Sequence, residues 1–173
     1  MSLAPLAPPD APLQDLRVVV RVESDVPQAV AAAHRFCLGL GLSNLLAAHV
    51  ATAASELANN LWMHARGGGE LHLLHLRAAA REGVELRSDD HGPGIADLAL
   101  AMTEGWSSAG GMGCGLPGVQ RLMDEFSLTS TLGQGTVVVA RKWVQRPHSE
   151  QGTQGTRSAT GAQDARGATG GTA

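Results

Sequence analysis

Residues 84–95 read Val-Glu-Leu-Arg-Ser-Asp-Asp-His-Gly-Pro-Gly-Ile, and the fold turns on how this stretch is read. Val84–Ser88 alternates apolar and polar side chains, the pattern of a half-buried strand. Asp89 and Asp90 stand at its end, and Gly92-Pro93-Gly94 force the chain into a tight turn directly afterwards. A carboxylate held at a strand end by such a turn points at a fixed place. It is suited to accept a hydrogen bond from the exocyclic amine of a purine. Taken alone, the same letters equally describe an ordinary Asp-Gly turn.

Upstream, Leu71–Arg77 alternates in the same way and predicts a partner strand, with the reversal placed at Gly83. Before it, Gly67-Gly68-Gly69 stops a helix that opens at the cap residue Ser43 and runs to about Ala65. The apolar stripe of this helix is Leu46, Val50, Ala53, Leu57 and Leu61. Glu56 and Asn60, four residues apart, share one face beside that stripe. The carboxamide is a neutral oxygen ligand of the kind Mg²⁺ accepts, and the carboxylate could orient or deprotonate a hydroxyl. An ordinary amphipathic flank would carry the same pair. Further upstream, Leu16–Glu23 is β-branched and predicts a first strand. Asp25 is the expected cap of a helix with Pro27 in its first turn and Gly39 and Gly41 at its end.

Downstream, Gly110-Gly111-Met112-Gly113-Cys114-Gly115-Leu116 opens a helix expected over about 117–126. Glycines before a helix N-terminus let backbone N–H groups approach phosphate oxygens, whose charge the helix end favours. The polar run 103–110 ahead of it reads as a flap. Gly113 to Gly118 also spell G-x-G-x-x-G, but no apolar strand precedes them and a hairpin stands where the acid-bearing strand of a dinucleotide fold belongs. No G-x-x-x-x-G-K-[ST] occurs either. The hairpin pairs Ser127–Leu132 with Thr136–Trp143 around Gly133-Gln134-Gly135, and the Thr136 hydroxyl enters the last strand where it could reach a base or its aspartate.

Composition bounds these readings. The chain has 173 residues and a formal charge of −3, with 43% apolar residues but only 3 Trp, 2 Phe and no Tyr. That length suggests one domain at roughly 150 residues each. A mildly acidic, aromatic-poor chain lacks the basic patches and stacking rings of a nucleic-acid binder. Two cysteines, Cys37 and Cys114, are too few for a disulfide framework and point to a reducing compartment. With no long apolar run and no signal-peptide pattern at the start, the expectation is a cytoplasmic protein without a membrane span. Residues 1–14, with four prolines, read as a flexible extension, and 147–173, without Leu, Ile, Val, Phe or Trp, as a disordered tail. The core between them, 15–146, has the element pattern of an α/β two-layer sandwich: a mixed sheet with helices on one face.

The four elements, in this order, resemble the ATP site of the GHKL superfamily (the Bergerat fold), which includes gyrase-like ATPases, Hsp90, histidine kinases and anti-sigma serine kinases. The resemblance covers about 16–146. It is closest to the small serine/threonine kinases of bacterial partner-switching pathways, of the RsbT-type stressosome switch. Ser55–Asn60, Asp90–Ile95, Gly110–Phe126 and Gly133–Trp143 carry it, most specifically through Gly-Leu-Pro-Gly and Leu-Met-Asp-Glu-Phe. The resemblance implies that Glu56 is the general base on the acceptor hydroxyl and that Asn60 holds Mg²⁺. It implies that Asp90 binds the adenine amine, with Gly92 and Gly94 shaping its turn. Gly111, Gly113 and Gly115 would wrap the phosphates of ATP, and Thr136 would support the base pocket. Implied partners are STAS-domain substrates and a downstream regulator such as a PP2C-type phosphatase. One departure stands out: anti-sigma kinases commonly carry an Arg just before the lid glycines, where this chain has Ala109-Gly110. Arg121, in the following helix, is a candidate replacement or a solvated residue.

Two competitors remain at this level. A non-catalytic ATP-binding interaction module would not require the Glu56/Asn60 pair. A histidine-kinase catalytic domain is expected to follow a dimerisation helix carrying a phosphoacceptor His, and nothing of that length fits into the first 15 residues.

Overall fold

The computed structural model describes residues 4, 6, 13–78, 81–103 and 115–145. The lid glycines Gly111 and Gly113, Cys114 and the tail 147–173 lie outside them. Among the described residues nine elements follow one another: β1 (Asp15–Val20), α1 (Asp25–Gly39), α2 (Asn44–His64), β2 (Gly69–Ala78), β3 (Arg81–Asp90), α3 (Leu98–Ala101), α4 (Gly115–Leu122), β4 (Glu125–Thr131) and β5 (Gly135–Gln145). The strands form one sheet in the order β1-β2-β3-β5-β4. The α/β sandwich is therefore as expected, but the sheet is not mixed, since all four pairings are antiparallel. Short hairpins join β2 to β3 and β4 to β5, and a hairpin can only make antiparallel neighbours.

Helix α1 buries Val26, Ala29, Ala33 and Cys37, a spacing of three and four that lays one narrow apolar face on the core. The expected cap at Asp25 is not one. Its Oδ2 turns back to accept from the Arg21 and Val22 amides at 2.9 and 3.1 Å. Those two amides hold its carboxyl below the usual carboxylate range. Helix α2 is capped as expected, with the Ser43 hydroxyl accepting from the Leu46 amide at 3.3 Å. Its buried surface is broader than the sequence stripe: Ala47, Ala51, Ala54 and Ala58 join Val50, Ala53, Leu57 and Leu61. The extra alanines are small, which lets α1 pack close on one side while α4 and the sheet take the others. Leu57 is fully enclosed, so truncating it to Ala would cost roughly 2–5 kcal/mol.

Side chains alternate across the sheet. Leu16, Val18, Leu71, Leu73, Val84, Leu86, Leu128, Val138 and Ala140 face the helices and form the core with them. The opposite face carries Glu70, His72, Glu85, Arg87, Glu125 and Arg141, and there Glu85 and Arg141 form a buried ion pair at 2.7 Å.

Besides β1, which ends at Val20 rather than Glu23, two boundaries differ from expectation. Gly83 is not a turn but an interior residue of β3, paired between Leu76 and Trp143, and the chain reverses between Ala78 and Arg81. A β-carbon at Gly83 would run into the Lys142 carbonyl and the Trp143 ring, so the glycine serves a close approach rather than a reversal. The last helix stops at Leu122 instead of reaching Phe126. Lys142 Nζ binds the Leu122 carbonyl at 3.0 Å, and Asp124 accepts from the Trp143 amide at 2.7 Å, drawing Glu125 and Phe126 into β4. Among the described residues no helix is long and apolar enough to cross a membrane.

Candidate active site

Helix α2 presents Glu56 and Asn60 one turn apart, both half-buried, at the edge of its packed surface. Neither side chain has a hydrogen-bond partner among the described residues. Polar groups held at a helix edge with full capacity left are available to a ligand.

Asp90 ends β3 on the helix-facing side of the sheet. Its Oδ1 accepts from the Gly92 amide at 2.7 Å, which closes the turn onto the carboxylate. Its other oxygen meets no donor among the described residues. Gly92 is buried against the end of α2. A β-carbon there would stand 2.9 Å from the Ala65 Cα and 3.2 Å from the His64 carbonyl. The missing side chain thus lets the aspartate turn dock under α2, one turn beyond Asn60. Gly94 has φ 73°, a conformation that disfavours residues with a β-carbon, and it packs against the Thr131 and Leu132 backbone. The Gly133 amide then donates to the Pro93 carbonyl at 2.8 Å, tying this loop to the β4–β5 turn.

Thr136 lies directly opposite Asp90 in the β3–β5 register, and Ser130 directly opposite Thr136 in the β4–β5 register. A row of three polar side chains therefore crosses three strands on the face whose core is mainly Leu, Val and Ala. The Thr136 and Ser130 hydroxyls are 2.9 Å apart, and Ser130 Oγ also accepts from the Ile95 amide at 2.8 Å. Sequence reasoning passed over Ser130. The available signal was parity: two residues beyond the core residue Leu128, it must share the buried face.

The structure thus brings Asp90, Gly92, Gly94 and Thr136 together and docks their loop on the helix of Glu56 and Asn60. Gly115 begins α4, whose buried Leu116 and Val119 pack that helix into the core, and the neighbouring Gly111 and Gly113 lie outside the described residues. Glu56 also borders an open groove of about 750 Å³ between α1 and α2, with Thr52, Ser55, His34 and Arg35 among its walls. Asn60, Asp90 and Thr136 do not line that groove, so Glu56 stands where the groove meets the Asn60 end of the helix. Arg121 is exposed in the last turn of α4. His64 is exposed at the end of α2, and its carbonyl lies against the Gly92 turn.

No group of three or more His, Cys, Asp and Glu that could hold a metal occurs among the described residues. This donor set suits a hard cation that draws most of its ligands from phosphates and water and needs only one or two protein oxygens, as Mg²⁺ does at nucleotide sites. Asn60 can supply one. Cys37 is no ligand: burial pushes its thiol up to about 11.

Comparison with known proteins gives the family. Residues 19–142 match the histidine kinase-like ATPase domain. Over 128 residues the chain is 39% identical to the serine/threonine-protein kinase RsbT of Bacillus subtilis (strain 168), spanning 74% of this chain and 96% of that protein. A match of that extent takes in α2, the Asp90 turn and the closing hairpin together, so this chain belongs to the histidine kinase-like ATPase family and, within it, to the RsbT-like serine/threonine kinases.

Proposed function

We propose that the chain transfers the γ-phosphoryl group of ATP, with Mg²⁺, to a serine or threonine of a STAS-domain partner in a bacterial stress-response switch. Release from that partner would free it to act on a downstream regulator such as a PP2C-type phosphatase. The observation that carries the nucleotide half of this reading is Asp90: one carboxylate oxygen is bound by its own turn, and the other is left for an amine. Asp90 and Thr136 receive the base. Gly92 and Gly94 shape the turn, and Gly111, Gly113 and Gly115 cradle the phosphates at the start of α4. Mg²⁺, held in part by Asn60, neutralises charge on the phosphates when bound. Glu56 accepts the proton of the acceptor hydroxyl as its oxygen bonds to phosphorus and the bond to the ADP oxygen breaks. Phosphoryl transfer asks little covalent chemistry of the protein, and these residues act by position and charge.

The site for the protein partner is expected on the Glu56 side of α2, in a cytoplasmic setting without nucleic acid or membrane. The test is transfer from labelled ATP to a cognate STAS protein. Glu56→Ala should lower the transfer rate by about 10²–10⁴-fold, the range for loss of a positioned base, while ATP still binds. Undiminished transfer by that variant would remove Glu56 from the mechanism. An unchanged ATP affinity in Asn60→Ala at saturating Mg²⁺ would remove Asn60.

A further inference from the structure

We propose that Ser130 is a positioning residue that makes Thr136 a hydrogen-bond acceptor toward the nucleobase, and so sets the preference for a purine bearing an amine at position six. The inference rests on the nucleotide reading above and assigns to that site a residue which does not touch the base.

Ser130 is 6% exposed and sits on the edge strand β4, yet three groups converge on its hydroxyl. The Ile95 amide donates to Oγ at 2.8 Å, the Gly135 carbonyl lies at 3.2 Å, and the Thr136 hydroxyl at 2.9 Å. A serine hydroxyl offers one proton and two lone pairs. The amide can only donate, so it occupies one lone pair. The carbonyl can only accept, so it claims the proton. The one capacity left on Ser130 is a lone pair, and Thr136 must donate to it. The opposite rotamer, with Ser130 donating to Thr136, would give up the contact with the Gly135 carbonyl, whereas the chosen one makes all three contacts at once.

With its proton directed at Ser130, Thr136 presents only lone pairs to a ligand. Asp90, directly across the sheet from it, presents a carboxylate oxygen. Two acceptors side by side complement the two N–H groups of an adenine amine. They oppose the O6 of guanine, which is itself an acceptor. Ser130 further fixes the distance between these partners, because the amide it holds belongs to Ile95, the residue after the Gly92–Gly94 turn that carries Asp90.

The experiment measures dissociation constants of ATP, GTP and purine riboside triphosphate, which lacks the amine, on the full chain. The variants are Ser130→Ala, Ser130→Thr, Thr136→Val and the Ser130→Ala/Thr136→Val double, each with its unfolding midpoint. Wild type should prefer ATP over both analogues. Ser130→Ala should weaken ATP by roughly three- to tenfold, the range for one lost neutral hydrogen bond, and narrow the ATP-over-GTP ratio. Ser130→Thr, which keeps the hydroxyl, should retain the ratio. The double variant should be no worse than the poorer single, because both remove one linkage. An unchanged ATP-over-GTP ratio in Ser130→Ala, with or without a lower midpoint, would reduce Ser130 to a structural residue while leaving the nucleotide site intact. Additive losses in the double variant would do the same. Failure of wild type to bind any of the three nucleotides would overturn the nucleotide reading itself, and this inference with it.

Discussion

Each face of the sheet buries polar side chains, and the two treat them in opposite ways. On the face away from the helices, Arg141 binds Glu85 at 2.7 Å and Glu125 at 3.4 Å, Arg81 binds Glu125 at 3.2 Å, and the Arg81 guanidinium stacks 4.0 Å over the Trp143 ring. Trp143 Nε1 donates to Glu125 as well. Every charge in this cluster answers another. On the helix-facing side, the row Asp90–Thr136–Ser130 is built just as deliberately into the register, but one Asp90 oxygen meets no donor among the described residues and Thr136 meets only Ser130. A buried polar group whose hydrogen bonds the protein completes by itself is part of the scaffold. One held rigid with capacity left over is a place for a ligand.

The sharpest way to break this contrast is to remove one partner on the closed side. Arg141→Ala would leave Glu85, which is 3% exposed, as a buried charge without its main partner. The loss of stability should be roughly 3–5 kcal/mol by denaturant titration, whereas replacing both Glu85 and Arg141 by leucine should cost far less. ATP affinity of molecules that remain folded should hardly change. If Arg141→Ala instead weakened ATP at unchanged stability, the closed cluster would belong to the site.

On the open side the expected effect falls on binding. Asn at position 90 keeps the oxygen that the Gly92 amide needs but turns the other acceptor into a donor. Asp90→Asn should therefore weaken ATP by about 10–100-fold, the range for a lost charged hydrogen bond, with the nucleotide-free unfolding midpoint nearly unchanged. A large drop in that midpoint would place Asp90 in the scaffold.

The smallest effect concerns a group that neither face uses. Cys37 is fully buried in α1, and burial raises its thiol to about 11, above its unfolded value. The folded chain therefore binds that proton more tightly than the unfolded chain. This contribution is intact at neutral pH and fades as pH rises from about 8.5 through 11. Cys37→Ala should flatten that alkaline decline slightly, and alkylation of Cys37 at pH 8 should require unfolding. Rapid labelling of Cys37 in the native protein would contradict its burial.

Local features were legible in the sequence because their causes are local. The Ser43 cap, the one-turn spacing of Glu56 and Asn60, and the strand-then-glycine order at Asp90 each need only a few neighbouring residues, and each stands where expected. Gly83 misled because a glycine reads as a turn unless the strand opposite it is known; here the Trp143 ring, some 60 residues away in sequence, occupies the space. Asp25 misled because a helix amide and a strand-exit amide are equally close along the chain. The helix expected to reach Phe126 ended early because Lys142 and Asp124 fasten its last turn to β5.

By itself, then, the sequence determined the candidate residues and the elements that hold them, since helix faces and strand parity follow from fixed backbone periods. Only the tertiary structure decided which of them meet. The antiparallel register sets Asp90, Thr136 and Ser130 in one row, and the bare backbone of Gly92 lets that row dock under α2. Such pairings join residues tens of positions apart, and no local period encodes them.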